Sequence, residues 1–301
     1  MLVVASVVVF LVIEHAPGDP ARFQLGLSAT PAQLAIERHK LGLDSSVANR
    51  YLIWLRHALE LNLGKSYSTG LPVTTTIATA SGYTFRLDAL AIVIGVVLGL
   101  PVGVLAALRR GTRIDAVISA AAAIALSVPS FALGTLLILL FSVHFKLMPP
   151  AGAGTPGQSL ASTLRFTLMP AVTLALPFAA VLVRYVRLEL GDVMGRAYVL
   201  TARSLGLRPR TVLYDAWLNA LIPTITAMGI QVGRLLAGAI ITETVFSYPG
   251  LGYLTIQSIQ GLDYPVVEGV LLFAAAIFLV VMFAVDLAVG LADPRVRIGA
   301  R

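Results

Sequence analysis

Ala89-Leu-Ala-Ile-Val-Ile-Gly-Val-Val-Leu-Gly-Leu-Pro-Val-Gly-Val-Leu-Ala-Ala-Leu108 contains no charged side chain. A run of that length and character matches the roughly 20 apolar residues an α-helix needs to cross a hydrocarbon core of about 30 Å. It fills most of an apolar window at 84–108, and comparable windows run at approximately 114–145, 169–189, 220–242 and 267–291. A shorter one, Leu2–Ile13, ends before Glu14. Lipid offers no partner to an open strand edge, so every window is expected to be a helix. The pattern therefore predicts an all-α polytopic membrane protein with six transmembrane helices. Residues 1–13 form the first, apparently shortened helix, 14–83 a loop region with short helices, and 84–301 the transmembrane core.

Composition agrees with that reading: 57% of the residues are hydrophobic and only 12% charged, which excludes an ordinary soluble domain. The net charge of +7 would suit a nucleic-acid binder, but the basic residues cluster beside the windows. Arg109, Arg110 and Arg113 share one connection. Arg184, Arg187, Arg196, Arg203, Arg208 and Arg210 surround a second, and Arg295, Arg297 and Arg301 lie in the tail. The short connections between them hold only Lys146 and Arg165. By the positive-inside rule the Arg-rich loops and the tail face the cytoplasm, and an even number of spans puts the N-terminus there too. The loop at 14–83 then faces outward; its length exempts its own basic residues from the rule. No Lys or Arg precedes Leu2–Ile13 and no small-residue cleavage pattern follows it, so a shortened span is expected rather than a removed signal peptide.

Within 14–83, Ala16-Pro-Gly-Asp-Pro20 predicts a turn, and Thr30-Pro-Ala-Gln-Leu-Ala-Ile-Glu37 a capped helix with proline in its first position. Tyr51–Leu59 repeats apolar residues every three to four positions, as an amphipathic helix does. Gly64-Lys65-Ser66 resembles the end of a phosphate-binding loop, but Leu59 stands where that motif needs glycine. The histidines at 15, 39, 57 and 144 lack metal-ligand spacing, and there is no cysteine. No nucleotide-binding, catalytic, cofactor or metal motif is expected in the chain.

Ala197-Tyr-Val-Leu-Thr-Ala-Arg-Ser-Leu-Gly-Leu-Arg-Pro-Arg-Thr-Val-Leu-Tyr-Asp-Ala-Trp-Leu-Asn-Ala-Leu-Ile-Pro223 is semi-polar and helical in pattern, with an interruption near Gly206. A helix, a glycine at which the chain turns and a second helix make a rigid knob held between two spans. This segment resembles the coupling loop of ABC importer permeases, and more specifically that of the dipeptide, oligopeptide and nickel branch. That branch carries Tyr-Val-x-Thr-Ala-x-x-x-Gly-Leu followed by Asn-Ala-Leu-Ile-Pro, matched here by Tyr198–Leu207 and Asn219–Pro223. Of the general Glu-Ala-Ala-x-x-x-Gly pattern, only Ala202 and Gly206 match literally; Leu200 and Thr201 occupy the first two places. The same branch is echoed by Ala16–Pro20, Leu63–Ser66, Leu71-Pro-Val73, Glu243-Thr-Val-Phe-Ser-Tyr-Pro-Gly-Leu-Gly252 and Asp293-Pro-Arg295.

The resemblance implies the fold of an ABC type I importer permease in a bacterial inner membrane. It also implies a second homologous permease, two ATP-binding subunits carrying ATP and magnesium, and an extracytoplasmic solute-binding protein. The loop at 190–219 would couple to the ATPases through Tyr198, Thr201, Ala202, Arg203, Gly206, Leu207 and Asn219. Polar groups at membrane depth are costly and so are candidates for the translocation pathway: Gln231, Arg234, Glu243 and Asp286. Arg234 shares a helix face with Gln231 and would meet either a peptide carboxylate or an internal one. Glu243 and Asp286 lie near helix ends, where capping or ion pairing would also account for them. Peptides are expected as cargo, with nickel or another small solute as the alternative. An ion-coupled transporter or channel is the alternative from another class.

Overall fold

The computed structural model describes residues 2–15, 19–26, 29–42, 44–155 and 157–292. Most of the Ala16–Pro20 turn and the Asp293-Pro-Arg295 signature, with Arg297 and Arg301, lie outside them. The chain divides into two compact units, residues 1–85 with 247–278 and residues 86–246 with 279–301.

In the first unit, α1 (Leu2–Glu14) packs on α4 (Val47–Leu59). Phe10 meets the rings of Tyr51 and Trp54 at centroid distances of 5.4 and 5.8 Å, and Ser6 Oγ lies 3.0 Å from the Tyr51 hydroxyl. Between them run α2 (Pro20–Leu25) and α3 (Pro31–Lys40). α3 opens on a reciprocal cap: Thr30 Oγ1 accepts from the Gln33 amide, and Gln33 Oε1 accepts from the Thr30 amide. Both groups are otherwise orphan donors of a helix start, and Pro31 has no amide to satisfy.

The chain then reverses through 62–72, where Ser66 N donates to Leu71 O and Val73 N to Gly64 O, and enters α5 (Val73–Leu108). The start of α5 shares a core with α11 (Leu251–Gln260) and the start of α12 (Tyr264–Ala292), made of Val73, Ile77, Ala80, Leu251, Val266 and Val270. Gly269 permits that fit, because a Cβ there would sit 2.7 Å from Val73 Cγ1.

The second unit is organised around α8 (Leu160–Met194). α6 (Arg113–Ser127), α7 (Ser130–Leu137, continued by a π-helical turn Ile138–His144), α9 (Ala197–Ser204) and α10 (Pro209–Val245) all pack against it. α5 approaches α8 closely through Gly95, Gly99 and Gly103, where a Cβ would meet Phe178, Leu182 and Val186 at 2.3, 2.9 and 2.7 Å. Glycine every fourth residue makes a smooth stripe, and in lipid such a stripe gains dispersion contact where no hydrophobic drive exists between helices.

Among the described residues, three helices can cross a membrane by length and apolar character: Val73–Leu108, Leu160–Met194 and Tyr264–Ala288. Two bent pairs raise the number to five, against the six expected from sequence. The window at 114–145 is not one straight span: Arg113–Ser127 and Ser130–His144 meet at 98°. Pro129 lacks an amide donor and forces Val128 into an extended conformation, at φ −78° and ψ 122°. The second pair, Pro209–Leu235 and Ala239–Val245, bends by 46°. The sixth window is α1, a helix of 13 residues and thus shorter than a bilayer core requires.

Candidate functional site

The segment 197–223 forms a helical hairpin whose geometry explains its spacing. α9 ends at Ser204, and Gly206 takes φ +75°, a left-handed conformation open to glycine at no steric cost. The Leu207 amide donates back to Ala202 O at 3.2 Å and the Gly206 amide to Arg203 O at 3.0 Å. These two bonds satisfy carbonyls that a helix end otherwise leaves bare, and they place the required glycine four residues after Ala202. Pro209 then occupies the first position of α10, where its missing amide costs nothing. Asn219 Nδ2 donates to Asp215 O at 2.8 Å and to the Tyr198 hydroxyl at 3.3 Å. Tyr198 and Asn219, drawn from the two halves of the sequence pattern, thus tie α9 to α10.

One face of the hairpin is anchored and the other is bare. Val199 and Val212 are buried, and α10 contributes Ala216 and Ala220 to a core with Ala107, Leu190 and Val193. Outward stand Leu200, Leu205 and Leu207 at 54, 77 and 47% exposure, with Tyr198 and Tyr214 beside them. Arg203 and Thr201 are exposed as well, and Thr201 Oγ1 turns back onto Ala197 O. Two ion pairs brace the elements below. Arg110 Nη1 lies 2.9 Å from Asp192 Oδ1, and Arg187 holds Asp115 through both oxygens. Gly111 N also donates to Asp115 at 2.9 Å, so the bend between α5 and α6 is fastened to α8 just ahead of the hairpin. Part of the arginine cluster that marks the loops in sequence is therefore structural bracing.

The polar groups at membrane depth do not gather at one point. Gln231 is buried, and Arg234 Nη1 reaches its Oε1 at 3.5 Å while the arginine side chain stays exposed. Glu243 is fully buried near the far end of α10, and Asp286 is exposed on α12. Sequence reasoning missed Asp88, which is 5% exposed, has no hydrogen-bond partner on either carboxylate oxygen among the described residues, and lies within electrostatic reach of Glu243. The signal was available, because Asp88 is an acid inside the apolar window 84–108.

Asp263 is a second omission. Its carboxylate accepts Ser66 Oγ at 2.5 Å, Tyr67 N at 2.9 Å, Ser68 N at 3.3 Å and Ser68 Oγ at 2.8 Å. Ser66 in the Gly64-Lys65-Ser66 triplet is thus a donor to a buried aspartate, and the turn it stabilises leads into α5.

A family model described as "Binding-protein-dependent transport system inner membrane component" matches residues 99–298, and a model of the N-terminal part of such components matches residues 1–88. The glutathione transport system permease protein GsiC of Pectobacterium atrosepticum is 36% identical over 297 residues, spanning 98% of this chain and 94% of the relative. The di/tripeptide transport system permease protein DppB of Pseudomonas aeruginosa is 36% identical over 314 residues, with 97 and 94% covered. The dipeptide transport system permease protein DppB of Escherichia coli K12 is 34% identical over 318 residues, again with 97 and 94% covered. Among solved structures, an inward-facing MetNI methionine ABC transporter chain superposes with a TM-score of 0.61 at 22% identity, over 72% of this chain and 96% of that one. That likeness concerns the fold.

Proposed function

Because the chain belongs to the family of binding-protein-dependent transport system inner membrane components, we propose that it is the permease subunit of an ATP-driven peptide importer. It would supply half of the translocation pathway in a bacterial inner membrane. The carrying observation is the near-full-length similarity to permeases named for dipeptides, di- and tripeptides and glutathione. The partners of this reading are a second homologous permease, two ATP-binding subunits that hold ATP and magnesium, and an extracytoplasmic solute-binding protein. Arginine placement orients the chain with both termini and the hairpin in the cytoplasm and the loop region 14–83 outside.

In this arrangement the exposed leucines around Gly206 insert into an ATP-binding subunit. Closure of the ATPases on ATP displaces the hairpin. The braced ends of α5, α8 and α10 carry that displacement to a gate as a switch between two packings. Gln231 and Arg234 are the proposed pathway contacts, with Arg234 available to a peptide carboxylate, and Asp286 is a third candidate. Burial of Glu243 favours a structural role at the end of α10. No covalent step is required of the chain. The test is uptake of labelled dialanine into proteoliposomes holding the complete importer. Uptake that needs ATP, the binding protein and this chain is expected; uptake without any ATPase would overturn the reading.

A further inference from the structure

The first unit encloses an open cavity of about 960 Å³, formed by the end of α1, the α3–α4 region, the turn 62–70 and the start of α12. That volume falls in the range of pockets that hold small organic ligands, roughly 300–1,000 Å³. Charged side chains of both signs line it, and most of them are matched internally. Arg50 pairs with Glu14, Arg38 with Asp19 at 2.5 Å, and Lys40 with Glu37 at 3.0 Å. Two have no hydrogen-bond or ion-pair partner among the described residues, the Glu268 carboxylate and the Lys65 ammonium, and the Arg50–Glu14 pair lies within electrostatic reach of Glu268. Glu268 is half-buried on α12 and Lys65 is exposed on the turn.

Trp54, Tyr67 and Tyr264 line the same cavity, and aromatic ring faces attract cations. Burial, reinforced by the charges of Glu268 and Asp263, pushes the Tyr67 phenol up to about 12, so it stays a neutral donor under physiological conditions. A half-buried carboxylate without a direct hydrogen bond, in a cavity lined by aromatic rings, is chemistry that recognises an ammonium group. An unmatched ammonium in the same cavity suits a carboxylate.

We propose that this cavity is a binding site for a short peptide, whose free α-ammonium group is held by Glu268 and whose carboxylate faces Lys65. The proposal rests on the peptide reading for the choice of ligand. It adds a station for cargo in the first unit. The amino terminus dominates recognition, since Glu268 is the more buried of the two groups and a charge-assisted bond gains strength as water is excluded.

The test uses the full chain in lipid nanodiscs and the emission of Trp54 in a Trp217→Phe background, which leaves Trp54 as the sole tryptophan of the two in the chain. Trialanine should change the emission saturably. Acetylating its amino terminus should weaken binding by about tenfold, the worth of a charge-assisted bond. Glu268→Gln should weaken trialanine by a similar factor without further weakening the acetylated peptide. Lys65→Met should weaken trialanine but leave its C-terminal amide unchanged. The acetylated probe acts on the unmutated pocket, so the question is answered even where Glu268→Gln fails to fold. Equal affinity for trialanine and its acetylated form, or no saturable response in the millimolar range, would overturn the site. Trialanine uptake by the complete importer is measured in parallel. Binding without uptake contradicts the importer reading alone, and uptake without a Trp54 response contradicts the cavity alone.

Discussion

At the residue scale, the informative positions are charges whose partners are unusual. Asp88 is buried and leaves both oxygens unbonded among the described residues, within reach of a second buried carboxylate. An unsatisfied buried group costs about 1–3 kcal/mol. Asp88→Leu should therefore raise the thermal unfolding temperature of the isolated, detergent-solubilised chain, and a lowered one would contradict this account of Asp88. Asp19 behaves differently. The Arg38 guanidinium, hydrogen-bonded to it, holds its carboxyl below the ordinary 3.8. A depressed folded value means that the pair stabilises the folded chain above 3.8, and that this contribution is lost as pH falls through the folded value. The pair is half-exposed, so the effect is small and screened by salt. The Tm difference between the natural chain and Asp19→Asn should be positive at neutral pH and shrink in acid or in high salt. A difference that ignores pH would contradict the assignment.

At the element scale, the hairpin 197–223 joins a buried face to an exposed one through a single left-handed residue. A Cβ on Gly206 would meet nothing within 4 Å, so substitution acts on the backbone rather than on packing. A left-handed β-branched residue costs about 1–2 kcal/mol or more, equivalent to tenfold or so in an equilibrium. Gly206→Val should reduce uptake and ATPase stimulation by about that factor or more while the chain still inserts at normal levels. Unchanged uptake would contradict a coupling role. The α5–α8 contact explains in the same terms why glycine recurs at 95, 99 and 103: there the side chain, not the backbone, is what must be absent.

At the scale of the whole molecule, the helical, membrane-spanning class was legible in the sequence because lipid tolerates so few alternatives. Apolar windows of sufficient length, helix caps such as Thr30–Gln33 and the Ala202–Gly206 spacing are local signals, and each maps onto a local hydrogen-bond pattern. What stayed hidden depends on distant chain segments meeting. Arg187 was read as a topology charge, and only the fold shows it holding Asp115. Pro129 was visible, but the 98° break behind it is decided by how the two helices pack. Asp263 binds residues 66–68 from nearly two hundred positions away, and the cavity at Glu268 requires the turn at Lys65 to close over α12. The helix–glycine–helix hairpin at 198–219 was legible through its sequence pattern, whereas the surroundings of Asp88, Asp263 and Glu268 needed the fold.

The central claim is that the hairpin around Gly206 seats in an ATP-binding partner, and it can be tested by proximity. The chain has no cysteine, so Leu205→Cys introduces one reactive thiol at a position 77% exposed. With a benzophenone maleimide attached there, illumination of the transport-competent complex should link this chain to an ATP-binding subunit, with a yield that changes when ATP is added. Absence of that link in a complex that still imports peptide, or a link to the extracytoplasmic binding protein instead, would contradict the claim.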